Sequence, residues 1–189
     1  MSRLLRAGTL TGTPVVTLGG ESPLEVKDVV FGATSGEVVG FTLRKHGFLG
    51  GPVSEVLEWT DVHGLGPDAV VVRDEDAFSA DGEFDDGRGD VLGADVLTES
   101  GKSIGQVVEV VLKADRRHAD VVGFEIEPSE EFAGQGDRHV FLPLPDAIAV
   151  SGERVIVPDR ATDYIRDDLA GFGSAVEEFR SMLDQEATT

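Results

Sequence analysis

GTPVVTLGGESPLEVKDVVF (residues 12–31) lies over GADVLTESGKSIGQVVEVVL (93–112) without a gap. Eight of those twenty positions are identical: Gly12/Gly93, Val15/Val96, Thr17/Thr98, Gly20/Gly101, Ser22/Ser103, Val26/Val107, Val29/Val110 and Val30/Val111. Working outward, VVGFTL (38–43) matches VVGFEI (121–126) at four positions. LEWTDVHGLGPDAVVVRD (57–74) matches LPLPDAIAVSGERVIVPD (142–159) at five. The matches keep one order along the chain, as two copies of a single fold would.

Inside each copy the runs are short, rich in Val, Ile, Phe and Thr, and separated by turn residues. TPVVTL, EVKDVVF and EVVGFTLR in the first copy correspond to ADVLTE, GQVVEVVLK and DVVGFEIE in the second. Runs of this kind joined by a few Gly-containing residues read as antiparallel hairpins. Each copy ends in a further pair, VLEW with AVVV and HVFLPL with RVIV. The connecting WTDVHGLG and PDAIAVSG have room for one turn of helix. Such a set is too small for two packed sheets, and a curled sheet closing on itself buries one face and removes its edges. Gly40 and Gly123 fall mid-strand at the same register. Glycine inside a strand marks a bend or a bulge, as barrel corners require. The expected fold is mainly β: two tandem small antiparallel barrels, residues 10–73 and 91–159, with a short C-terminal α-helical segment at 160–186.

The chain has 189 residues, with 16 Lys plus Arg against 36 Asp plus Glu. A net charge of −20 argues against direct binding to nucleic acid or anionic lipid, since both need clustered cations. The segment 74–90, DEDAFSADGEFDDGRGD, holds eight acids and one arginine and reads as a solvated acidic linker. The first copy is close to neutral and the second is acidic. There is no cysteine, which excludes a disulfide scaffold, a thiolate metal site and a cysteine nucleophile. The longest apolar runs are about four residues, so no membrane span is expected. MSRLLRAGTL lacks the apolar core of a signal peptide, so a cytoplasmic location is expected.

GKSIGQVVEVVLKADRRHADVVGFEIE (101–127) and VVGFTLRKHGFLGGPVSEVLEWTDVHGLGPDAVVV (38–72) resemble the PRC-barrel family, named after the cytoplasmic barrel of the photosynthetic reaction centre H subunit. The resemblance spans nearly all of residues 10–160, in two copies. Copy one departs at Pro23-Leu24, where copy two has Ile104-Gly105, and at Glu58, where copy two has Pro143. The resemblance implies a small barrel used for binding. The family includes a subunit of a membrane complex that tunes electron transfer. It also includes the C-terminal domain of a ribosome maturation factor that docks on a ribosomal protein.

Past residue 160 the strand pattern stops. Ile165, Leu169, Phe172, Val176, Phe179 and Leu183 recur at helical spacing and form one apolar stripe. Gly171 and Gly173 interrupt it, which predicts two short helices or one bent helix. The stripe suits a helix lying on its own barrel, or else a homodimer or partner helix. In RKHGFLGGP (44–52), Phe48 and Leu49 stand between glycines beside Arg44 and Lys45. They are read either as a plug folding back into the barrel or as a partner contact with Trp59 as a nearby anchor.

No catalytic set can be named. The four histidines lie at 46, 63, 118 and 139, and no two have the spacing of a zinc protease helix. Asp115, His118 and Asp120 cluster in a hairpin turn and are weak metal candidates. GLGPDA (64–69) matches a dinucleotide fingerprint in letters only, because AVVV follows it as a strand where a helix is required. No serine sits on a strand-to-helix elbow. No cofactor is expected. The function these observations point to is a non-enzymatic protein-binding or assembly module, with a basic protein as the partner its charge would suit. The alternative is a sensor holding a small ligand or metal between the barrels.

Overall fold

The computed structural model describes residues 3–22, 24–32, 36–47, 50–80, 84, 91–115, 118–133, 138–145 and 154–187. The chain divides into two units. One comprises Met1–Gly32, Glu37–Arg88 and Lys113–Asp120, and the other Ala33–Gly36, Gly89–Leu112 and Val121–Thr189.

The first unit contains β1 (Arg3–Arg6), β2 (Pro14–Thr17), β3 (Leu24–Phe31), β4 (Val38–Lys45), β5 (Pro52–Glu58), β6 (Val62–Leu65), β7 (Val70–Val72) and β8 (Phe78–Ser79). Its sheet runs β6-β7-β2-β3-β4-β5-β8. Alternation puts Val15, Val26, Phe41, Leu43, Leu57, Val70 and Val72 on the inner face, where all are buried. The second sheet uses β9 (Asp95–Thr98), β10 (Ser103–Ala114), β11 (Ala119–Pro128), β12 (Val140–Pro143) and β13 (Arg154–Val157), in the order β12-β11-β10-β9-β13. Val96, Val107, Phe124, Ile126, Leu142 and Val157 fill its inside. A four-residue helix, α1 (Glu130–Ala133), follows β11.

The two sheets repeat each other in register. Phe41 pairs with Leu57 as Phe124 pairs with Leu142. Val15 pairs with Val70 as Val96 pairs with Val155. In the first turn, Thr17 N donates to Glu21 O at 2.8 Å, and Thr98 N donates to Lys102 O at 2.9 Å. Gly20 and Gly101 close these turns at φ +89° and +82°, a region that favours glycine.

Three expectations change. The barrels are not wholly antiparallel, because β7 runs parallel to β2 and β13 parallel to β9. In the first unit the chain advances from β5 to β6 through a 3-10 turn at Trp59–Asp61 instead of reversing, so the closing strand returns in the direction of the first.

Part of the segment read as a solvated linker is structured. Asp74 caps a 3-10 turn at Glu75–Ala77, and β8 pairs with β5, Ser79 opposite Val56. Asp74, Glu75 and Asp76 are exposed, while Ala77 is buried and Phe78 and Phe84 are half-buried.

The C-terminal segment is a 3-10 stretch, Asp159–Tyr164, followed by one continuous helix, α2 (Leu169–Ala187), with no break at Gly171. Gly171 is the third residue of the helix, where its N–H has no carbonyl one turn back. It donates instead to Asp168 Oδ1 at 2.6 Å, so the glycine sits in a capped first turn and not in the interior.

Candidate functional site

A cleft of about 640 Å³ opens in the first unit. Thr60, Asp61, Val62, His63 and Gly64 line it from the 3-10 turn and β6, and Val71, Arg73, Asp74, Asp76 and Ala77 from β7 and the turn after it. Val62 and Ala77 form its buried apolar floor, while Asp61, His63, Arg73, Asp74 and Asp76 are exposed. Three carboxylates against one guanidinium give the cleft a negative field suited to a cationic side chain. Asp74 Oδ1 also accepts Asp76 N–H at 3.1 Å, which fixes one wall. The letters WTDVH and VRDED are plain in the sequence. They become one site only through the pairing of β6 with β7, which strand spacing alone did not reveal.

The loop flagged in the sequence has a built base. Glu25, nearly buried on β3, takes Arg44 Nε at 2.5 Å on one oxygen and His46 Nδ1 at 3.1 Å on the other. Arg44 is therefore held against the barrel wall, directly across the ladder from Glu25. The loop tip, Phe48 and Leu49, lies outside the described residues.

The remaining candidates are placed as follows. Trp59, expected as an exposed anchor, is only 7% exposed and stacks at a tilt on Phe41, with 5.9 Å between ring centroids. Its side chain is core, because the 3-10 turn rolls it inward. Of the helical stripe, Phe172, Val176 and Phe179 are buried, and Ile165, Leu169 and Leu183 are half-buried. Phe172 meets Phe141 with 5.6 Å between centroids, and Phe179 meets Tyr164 at 5.4 Å. Both contacts lie inside the second unit, so the buried part of the stripe is not open to a partner. Asp115, His118 and Asp120 do not form a ligand set, and among the described residues no group of three His, Cys, Asp or Glu could hold a metal. Asp115 spends its carboxylate on the turn, accepting His118 N–H at 3.0 Å.

The glycines at matching register hold a feature not foreseen. A Cβ on Gly40 would collide with Leu57 O and the Phe84 ring. A Cβ on Gly123 would collide with Leu142 O and the Phe172 ring. Each glycine is the floor of a socket that a phenylalanine from the following segment fills. The sequence signal was the repeated VVGF; Phe172 stood in the helical stripe, and nothing linked it or Phe84 to the glycines.

One carboxyl is electrostatically tuned. Asp159 accepts Ser100 Oγ–H at 2.5 Å, and Ser100 Oγ in turn lies 2.9 Å from Thr98 Oγ1. The Ser100 hydroxyl, and then that of Thr98, hold the Asp159 carboxyl below its ordinary value. With no imidazole in the chain of hydroxyls, this is a strap joining the first turn to the end of β13, not a nucleophile.

Each unit is thus a mainly β module built on a curled sheet in which one strand pair runs parallel, an arrangement consistent with a small barrel. Residues 86–163 match the family model of the PRC-barrel domain, so the match falls on the second barrel. No curated protein matches the chain. Among the described residues no helix is long and apolar enough to cross a membrane.

Proposed function

We propose that the chain is a non-enzymatic protein-binding or assembly module made of two PRC-type barrels, and that its partner is a basic protein. Support for the first barrel as a second copy comes from its register, which repeats that of the matched one strand for strand. The observation behind the binding role is the cleft with Asp61, Asp74 and Asp76 exposed around it on two 3-10 turns and their cap. A lysine or arginine entering it would meet carboxylates above an apolar floor that can cover its aliphatic stem. The net charge of −20 would steer such a partner from a distance more than it would tighten the complex.

Capture on immobilised full-length protein at low and at high salt tests this reading. A basic protein should be retained at low salt and shed at high salt. The double variant Asp61→Lys, Asp76→Lys should lose it while keeping its melting temperature. Nothing retained at either salt, or equal retention by the variant, would sink the proposal.

A further inference from the structure

We propose that the face of the second barrel over Gly123 is a binding site for an amphipathic helix presenting a phenylalanine, and that α2 is its resident occupant and not part of the barrel frame. The first unit shows what the frame requires. Its strands β2, β3, β4, β5 and β7 repeat the order of β9, β10, β11, β12 and β13, yet among its described residues there is no α-helix. The PRC-barrel match likewise ends at residue 163, ahead of α2. The helix is thus an addition to a frame that its sister unit builds without one.

Its attachment is made by side chains. Phe172 enters the socket where Gly123 has no Cβ, and packs on Phe141. Phe179 packs on Tyr164, and Arg180 Nε donates to the Leu144 carbonyl at 3.4 Å. Arg166 pairs its backbone with Phe141 just before the helix begins, so the connection delivers Asp168 as cap and Phe172 one turn later. The floor of the socket is backbone on both strands, Gly123 and the Leu142 carbonyl, and the Phe172 ring occupies the space a side chain at 123 would take.

The test uses the whole chain with a protease site inserted between Asp167 and Asp168, cleaved after folding. The helical fragment should co-elute with the barrels on gel filtration. A labelled peptide of residues 168–187 should then exchange into the nicked protein. The same peptide with Phe172→Ala should compete roughly a hundredfold less well, since a fully buried ring is lost. A Ser174→Ala peptide, altered on the exposed side, should compete normally. Three results would overturn the proposal. They are immediate departure of the fragment from barrels that keep their fold, loss of the sheet signal by the nicked chain, and competition by the Phe172→Ala peptide equal to that of the unaltered one. The second result would make the helix part of the folding core. None of these results depends on the acidic cleft, so the binding role proposed above stands or falls separately.

Discussion

The two units solve one packing problem with different materials. In each, a glycine at the same register leaves a hole between β4 and β5 or between β11 and β12, and a phenylalanine ring lies on it. In each, the segment after the closing strand first pairs with the neighbouring edge, Ser79 opposite Val56 and Arg166 opposite Phe141. After that they diverge. The second unit covers the site with α2, and its position 144 is a leucine. The first has Trp59 at the matching position, so its own indole fills volume, and Phe84 arrives half-buried. What the repeat holds constant is the bare backbone of the glycine. What it lets vary is the source of the ring, because packing asks for volume and shape and not for a particular chain path.

The sharpest way to break this comparison is to remove the rings. Phe172→Ala should cost about 3–5 kcal/mol, the range for a fully buried phenylalanine. Phe84→Ala should cost about half that, since its ring keeps part of its water. Urea denaturation with separate probes for the two units would measure both. Equal losses would show that the two rings are equivalent keys, and a larger loss for Phe84 would reverse the ranking argued here.

Next in size are the sockets themselves. Gly123→Ala and Gly40→Ala should each cost about 1–3 kcal/mol by overpacking. The ring could yield, but the carbonyl of Leu142 or Leu57 on the other side cannot. In a double-mutant cycle, Phe172→Ala should relieve part of the Gly123→Ala penalty, because the ring shares that space while the Leu142 carbonyl remains. Strict additivity would mean that the carbonyl alone forbids the side chain and the ring is incidental.

Much of this frame was legible in the sequence, and the reasons are physical. Alternation with period two is imposed by the pleat, so Val15, Val26 and Val96 announced an inner face. Gly20 and Gly101 announced turns because only a residue without Cβ is at ease at positive φ. Gly40 and Gly123 were visible as exceptions, but their meaning was not. The rings that need them come from residues 84 and 172, outside the aligned stretches. The helix break expected at Gly171 failed because propensity applies to helix interiors, and Asp168 had already made that turn a cap. Trp59 read as an anchor because indoles favour interfaces, yet a single 3-10 turn rotates it into the core. The cleft escaped notice because His63 and Arg73 meet only through strand pairing, and pairing is not written locally.

That cap offers a smaller effect. Asp168→Ala should cost about 1 kcal/mol by leaving the Gly171 N–H without its acceptor. Thermal unfolding would show it as a lowered midpoint of the second unit, with the first unit unchanged. A loss shared by both units would mean that they unfold as one, and the comparison between them would then need kinetic data.

The smallest expected effect separates the two first turns. Ser100 in the second unit stands where Gly19 stands in the first, so at this position the second unit alone has a hydroxyl, and it donates to Asp159. That bond holds the Asp159 carboxyl below its ordinary value of 3.8. The folded chain then releases this proton more readily than the unfolded chain does, so the bond favours folding wherever Asp159 is ionised. Its contribution is complete above 3.8 and disappears as the pH falls through the lower folded value. Ser100→Ala should therefore raise the Asp159 titration seen by NMR. It should lower stability slightly at neutral pH and leave the two proteins indistinguishable in strong acid. A stability difference that persisted unchanged into acid would assign the role of Ser100 to its contact with Thr98 alone, since that hydroxyl pair does not titrate.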